Sequence, residues 1–483
     1  MRNTPTETAP KAPRAAAPVV GRLPLGAKIV YGLGDWGGSA VSTIFIFFFS
    51  FFLSDIARLP LQLSGLVLLV GGIWDAVNDP LIGVLADRVR TRWGRRRPFF
   101  LFGALPLAIT FTMLWWAPQW GDLGRAAWFA LAYVLFDTCF TLVTVPYGAL
   151  TAEITEDYDE RTDLTGWRMA LNLLGGLMAA FFVPVIVGVF TRQATGYFVA
   201  AAGFGLLAAV PYLMLFFTTK ERFAATAPPR ESLVTSFVAT LKNRTFRYIA
   251  AIYLLSWVTV NLVASLLQYY VTWWVRIPDQ LEFVLVVVQG AAIACIPLVV
   301  LLSGRLGKRA AYIVSAGWWA FVMLGLAFIP GTAHAFAYVL AGLAGFGVAG
   351  AQVIPWSMVP DVIEADEMNS GRRREGAYYG VVAFIQKSGT AFMLAIVQWV
   401  LALTGYRPGE AQPASALLAI RLMIGVAPAL LLGLSMIVAW KSPLGKREHE
   451  AMRAALAKRR TATVRGRARS PARRTPAPGK SRS

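Results

Sequence analysis

Apolar residues along this chain neither alternate with polar ones at the two-residue period of a strand nor form the narrow stripe of a surface helix. They run on in long blocks. Some twenty apolar residues in a helix cross a hydrocarbon core about 30 Å thick. Twelve such blocks can be cut, at 29-53, 62-87, 98-117, 125-150, 166-190, 196-218, 245-273, 280-303, 309-329, 335-358, 377-403 and 413-440. Several contain Gly or Pro, which spanning helices tolerate when neighbouring helices satisfy the freed backbone groups. The pattern predicts an all-α membrane protein with twelve transmembrane helices.

The punctuation between the blocks predicts the organisation. "RWGRR" at Arg92–Arg96 follows the second block and "RLGKR" at Arg305–Arg309 follows the eighth, while acidic segments follow the fourth and tenth. Two six-helix halves are therefore expected, at 29-218 and 245-440, joined by a cytoplasmic linker at 219-244. In such repeats the substrate site lies between the halves near the midplane. Residues 1-28 and 441-483 are polar, rich in Ala, Pro, Arg or Ser, and are expected to be disordered tails. No cleavable signal peptide is expected, because the start is polar.

Composition agrees: 57% of residues are hydrophobic and 15% charged. The formal net charge of +20 does not point to nucleic acid, because fourteen Lys/Arg against two Glu lie between Lys441 and Ser483. The expected partner of that tail is anionic lipid, at about 1 kcal/mol per basic residue near the surface. The plainer alternative is a solvated tail that enforces topology. Six arginines crowd "DRVRTRWGRRRP", whereas the odd-numbered connections hold at most one each: Arg58, Arg125, Arg192, Arg276 and Arg407. The positive-inside rule then puts both termini in the cytoplasm, with a bacterial inner (plasma) membrane as the expected location. Cys139 and Cys295 lie far apart in apolar runs and suggest neither disulfide nor metal site.

Against this background the charged residues inside the blocks stand out. A carboxylate at the centre of a spanning helix costs about 2.5–3.5 kcal/mol to insert, so each is a candidate for function. Asp75 and Asp79 lie one turn apart on one face of the second block, beside Asn78. Two carboxylates so close repel unless a proton, a cation or an arginine of a neighbouring helix sits with them. Lys387, about ten residues into the eleventh block, must face a cavity or a carboxylate, or else snorkel to the surface. Because it belongs to the other half, it can meet the aspartates only between the halves. Arg168 opens the fifth block; Asp35 and Asp137 complete the set without an assigned role.

"YGLGDWG", "IWDAVNDPLIG", "RWGRRRP", "PDVIEADEMNSGRRREGAYYG" and "QKSGTAF" fall in order at the right blocks. Together they resemble the glycoside-pentoside-hexuronide:cation symporter family of the major facilitator superfamily, over most of residues 28 to 440. The resemblance implies the major facilitator fold and cation binding by Asp75, Asn78, Asp79 and Thr141, with Asp75 and Asp79 holding the metal ion if sodium couples. It makes Lys387 the lysine that links the cation and substrate sites, and Arg168 the arginine that begins the fifth helix. Family members that carry galactosides grip the hydroxyls with an aspartate on helix one and another on helix four; Ser39 and Thr144 stand there in this chain, and a helix-four tryptophan becomes Gly148.

The expected activity is cation-coupled symport of a small organic solute, a sugar or glycoside, by alternating access. Trp36, Ser39, Thr144, Tyr147, Arg168, Asn261, Tyr269, Gln386 and Lys387 are expected at the substrate cavity or in coupling. Asp87 with Arg95 and Arg96, and Glu153, Asp157, Glu364 and Glu367 with Arg373, are expected to form a cytoplasmic gate. The alternatives are a lysolipid or amphiphile symporter, an uncoupled facilitator or exporter, and a receptor or scaffold that no longer transports. No phosphate-binding loop and no nucleophile–base constellation is visible, so neither an ATP-driven pump nor an enzyme is expected. No cofactor is expected beyond the coupling cation, Na+, Li+ or H+, and a monomer suffices.

Overall fold

The computed structural model describes residues 23–155, 158–219, 221, 233–370 and 375–443. Fourteen helices follow one another among them: α1 Leu25–Phe51, α2 Leu61–Arg88, α3 Arg97–Leu114, α4 Asp122–Ile154, α5 Tyr158–Val189, α6 Gln193–Thr218, α7 Leu233–Lys242, α8 Arg244–Tyr269, α9 Leu281–Leu306, α10 Lys308–Phe328, α11 His334–Ser370, α12 Glu375–Leu403, α13 Ala414–Arg421 and α14 Ala427–Lys441. A π-helical turn joins α13 to α14, so that the pair makes one span, and twelve segments are long and apolar enough to cross a membrane. No strand occurs among the described residues.

Helix α2 shows how the sequence sorts its faces. Leu66, Val70, Ile73, Val77 and Leu81 recur every three or four residues and are exposed, a stripe suited to lipid. Ser64, Leu68, Gly71, Gly72 and Asn78 are buried against neighbouring helices. The first six spans pack on one another through α1 with α5 and α6, α3 with α4 and α6, and α2 with α4. In the last six, α9 and α10 pack on α11, and α14 on α8 and α10. The two groups meet where α2 runs along α12, α5 along α9 and α1 along α8. At Gly72 a Cβ would lie 2.4 Å from the Ala391 Cβ, so the missing side chain lets α2 and α12 approach closely one turn from Asp75.

Several boundaries differ from the sequence expectation. The first helix begins at Leu25, inside the segment expected as tail, because Pro24 starts it and Lys28 is held by Asp163 at 2.5 Å. Residues 1–22 and 444–483 of the expected tails lie outside the described residues. The expected linker contains α7, whose "LVTSFVATLK" carries apolar residues at helical spacing and packs on α8 and α12. Asn243 then starts α8, its side chain accepting from the backbone N–H of Thr245 at 3.0 Å and of Phe246 at 3.2 Å. Helices α4, α5 and α11 run past the apolar blocks into the polar segments that follow or precede them.

An even number of spans returns the chain to the side where it began, so the molecule has a basic end, with Arg88–Arg97, and a far end. At the basic end, the Glu221 carboxylate accepts from the backbone N–H of Arg95 (2.7 Å), Arg96 (2.7 Å) and Arg97 (3.2 Å), closing the start of α3. Gly94 turns the chain there with φ +110°, and a Cβ would meet Glu221 at 2.5 Å.

The far end is held by a buried polar network between the two groups of spans. Asp55, in the turn after α1, accepts from Tyr406 Oη at 2.7 and 2.9 Å, from Ser54 Oγ at 2.6 Å and from the Gly409 N–H at 3.3 Å. Gln398 Nε2 donates to Ser50 Oγ at 2.7 Å and to Tyr269 Oη at 2.9 Å, and Tyr269 donates to the Ser50 carbonyl at 2.9 Å. Burial pushes the Asp55 carboxyl up to about 6, against the opposing pull of those donors and of Arg58. Tyr197, Tyr269 and Tyr406 are the other titratable groups that feel it.

That shift fixes a sign. An acid whose pKa rises on burial takes up a proton as it is buried, so burying Asp55 is most costly above pH 6, by roughly 3 kcal/mol, and the cost is gone below about pH 4. Spin labels at Trp120 and Glu410, with Cys139 and Cys295 replaced, are expected to show the short-distance population growing as pH falls through about 6. Asp55→Asn is expected to make that population independent of pH; an unchanged pH dependence in Asp55→Asn would refute the assignment.

Candidate functional site

Between the two groups of spans lies a cavity of about 620 Å³, within the usual range of ligand pockets. Its two walls differ in chemistry. The first six spans contribute Asp35, Ser39, Asp75, Asp137, Thr144, Tyr147, Arg168 and Asn172, and the last six contribute Trp257, Asn261, Gln289, Gln352, Gln386 and Lys387. Charge is thus concentrated on one wall, while the other offers amides, an indole and a single ammonium group.

Lys387 reaches across the interface from α12. Its Nζ pairs with Asp75 Oδ1 and, at 2.6 Å, with Asp79 Oδ2, both on α2. Thr141 Oγ1 on α4 donates to the other Asp79 oxygen at 3.0 Å. Asn78, one position before Asp79, turns towards α4, where its Nδ2 meets Asp137 Oδ2 at 3.0 Å and the Asp137 carbonyl at 3.3 Å. Trp74 Nε1 donates to Thr138 Oγ1 at 2.9 Å on the same seam. Helical spacing explains the assembly: Trp74, Asn78 and the two aspartates fall on neighbouring turns of α2, opposite Asp137, Thr138 and Thr141 on α4. The ammonium occupies the space between the carboxylates that a small cation would need, and it relieves the same repulsion.

A second charged group sits on the first wall. Arg168 Nε donates to Asp35 Oδ2 at 2.5 Å and Nη2 to Asp35 Oδ1 at 3.3 Å, a two-pronged pair. Its guanidinium also lies 4.8 Å from the centre of the Tyr147 ring and donates to Thr151 at 3.0 Å. Tyr31 and Tyr147 donate to each other's carbonyls at 3.1 and 2.7 Å, locking α1 to α4 behind this pair.

Most of the residues picked from the sequence meet here, and some do not. Ser39, Thr144, Tyr147, Arg168, Asn261, Gln386 and Lys387 line the cavity. Trp36 is buried in the core of the first six spans, where the Gly175 Cβ position would fall 2.2 Å from its carbonyl oxygen. Tyr269 stands in the far-end network, one helix end away from the cavity. At the basic end Asp87 holds Arg95 and Arg96, with Nη2–Oδ1 distances of 3.4 and 2.7 Å, and Lys308 holds Asp361 at 2.7 Å. Glu364 lies on α11. Asp157 and Arg373, and the side chains of Glu153 and Glu367, lie outside the described residues. Asn172, Gln289 and Gln352 escaped sequence reasoning; each is an amide in an apolar run, a weaker signal than a charge but one that could have been read.

Comparison with known proteins agrees with this geometry. The family model for MFS/sugar transport proteins matches residues 30–446. A Synechocystis protein described as an uncharacterized symporter is 32% identical, covering 88% of this chain and 95% of its own length. The inner membrane symporter YicJ of Escherichia coli is 30% identical, covering 85% of this chain and 90% of its own. Among solved structures, a D-xylose-proton symporter superposes with a TM-score of 0.62 at 15% identity, over 86% of this chain and 97% of that one, a likeness of fold. With twelve spans around a central cavity among the described residues, and with a match over most of its length, the chain belongs to the MFS/sugar transport protein family, among the glycoside-pentoside-hexuronide:cation symporters.

Proposed function

We propose that the chain couples a cation gradient to the movement of a small polyhydroxylated solute by alternating access. The observation that carries this reading is Lys387 of α12 lying between Asp75 and Asp79 of α2. A cation that takes oxygen ligands from Asp75, Asp79, Asn78 and Thr141 displaces the ammonium. Displacement cuts a tie between the two groups of spans and leaves Lys387 free for the solute or for the far wall, so cation binding and solute binding share one lysine. Reciprocity then follows: whatever the cation does to solute affinity, the solute does to cation affinity.

The cavity supports a sugar or glycoside. Asn172, Asn261, Gln289, Gln352 and Gln386 offer paired donors and acceptors to hydroxyls, and Trp257 and Tyr147 offer flat faces to a sugar ring. Relatives include a glucuronide carrier homolog of Escherichia coli. The Arg88–Arg97 cluster supports a cytoplasmic basic end, with both termini on that side and anionic lipid against the basic tail. A second reading has one observation in its favour: an apolar recess lined by Val263, Leu267, Met323 and Leu326 adjoins the cavity through Phe47, Val260 and Ala264. A zebrafish sodium-dependent lysophosphatidylcholine symporter is 24% identical, and an amphiphile with its tail in that recess is the alternative solute.

Three outcomes test these readings in proteoliposomes with sodium and proton gradients imposed separately. Asp79→Asn is expected to abolish uphill accumulation while the protein remains in the membrane, and undiminished accumulation would end the coupling assignment. Lys387→Ala leaves two carboxylates without their counter-charge, at a cost of about 3 kcal/mol, so transport is expected to fall about a hundredfold; wild-type rates would make the lysine a bystander. Ser39 and Thr144 offer only neutral hydrogen bonds where a carboxylate would offer charge-assisted ones of about twice the strength. Simple galactosides are therefore expected to bind poorly, and micromolar binding of a galactoside panel to the purified protein would overturn that argument.

A further inference from the structure

Asp137 is the third carboxylate of this region and has no part in the pairing with Lys387. It is 4% exposed, on the middle of α4, one turn before Thr141. Both its Oδ2 and its main-chain carbonyl accept from Asn78 Nδ2, at 3.0 and 3.3 Å. A buried carboxyl in a spanning helix costs several kcal/mol, so its retention calls for a task.

The task follows from the chemistry of an amide. Asn78 carries two donors on nitrogen and one acceptor oxygen. Everything that Asp137 presents to it is an acceptor: a carboxyl oxygen and a carbonyl. A flipped Asn78 would set oxygen against two oxygens, so Asp137 permits one orientation only. With the nitrogen committed to α4, the Asn78 oxygen is the atom left to serve as a ligand, on the same stretch of α2 as Asp75 and Asp79. We propose that Asp137 is a positioning residue of the cation site, fixing Asn78 so that it offers oxygen rather than nitrogen to the ion. This inference rests on the reading of Asp75, Asn78 and Asp79 as cation ligands. Asp137 would then touch the ion only through Asn78, and its loss would be felt as a loss of ligand geometry. Partners that orient a ligand in this way are typically worth about 10- to 100-fold in ion affinity.

Equilibrium binding of radioactive sodium to the purified full chain, with lithium as competitor, provides the test. Asp137→Ala is expected to weaken sodium binding about 10- to 100-fold. Asp137→Asn retains an acceptor oxygen for Asn78, and affinity within about threefold of wild type is expected. In an Asn78→Ala background, adding Asp137→Ala is expected to weaken binding no further, because the residue through which Asp137 acts is gone. A purely structural Asp137 would lower affinity equally in both backgrounds, and that result would overturn the proposal. So would an Asp137→Ala protein that binds sodium as wild type does, or an Asp137→Asn protein that loses as much as Asp137→Ala. Should Asp137→Ala not reach the membrane, Asp137→Leu, closer in volume, takes its place in the same cycle. Wild-type protein that binds neither sodium nor lithium would overturn the metal-ion site itself, and the positioning role with it, a failure distinct from those of the variants.

Discussion

The ammonium of Lys387 between two carboxylates of another helix is the interaction on which the rest of the interior turns. Charges at that depth persist only when paired, and the partners here stand on helices from opposite ends of the sequence. To bring them within reach α2 and α12 must approach closely, and Gly72 against Ala391 provides the room. The long helix-on-helix contact between α2 and α12 is thus not a generic apolar interface; an electrostatic requirement fixes where along the two helices it must be tightest.

The same requirement divides the labour between the walls of the cavity. The first six spans hold Asp35, Asp75, Asp137 and Arg168, while the last six answer with Lys387 and a set of amides. Arg168 and Asp35 satisfy each other within the first group whether or not the other wall is near, whereas Asp75 and Asp79 depend on Lys387 of the second wall for their counter-charge. Neutral amides on the second wall can leave and return without a large desolvation cost, since they gain and lose only ordinary hydrogen bonds.

How much of this was legible in the sequence depends on the size of each signal. Twelve spans could be read because a hydrocarbon core demands an unbroken apolar run, and no other element meets that demand. Asp75, Asp79, Lys387 and Arg168 could be read because a charge in such a run is costly. Their mutual pairing could only be posed as a question, since sequence spacing says nothing about helices more than three hundred residues apart. Asp137 was visible as a charge, but its bond to Asn78 depends on the rotation of α4 against α2. The far-end network was missed because Ser50, Ser54 and Gln398 are uncharged and Asp55 stands just past a span, where an acidic residue is unremarkable. Tyr269 was misplaced for a related reason: a tyrosine in a spanning helix can serve a cavity or a helix end, and only the position of Ser50 and Gln398 decides.

The carboxylate of Glu221, held by three backbone N–H groups at the start of α3, pins the beginning of the connection between the two groups of spans. Its other end is pinned where α7 begins at Leu233 and packs on α8 and α12. The two anchors thus belong to different groups of spans, Glu221 to the first and α7 to the second, and the groups meet directly where α2 runs along α12, α5 along α9 and α1 along α8, so those helix contacts are the surfaces along which one group can act on the other.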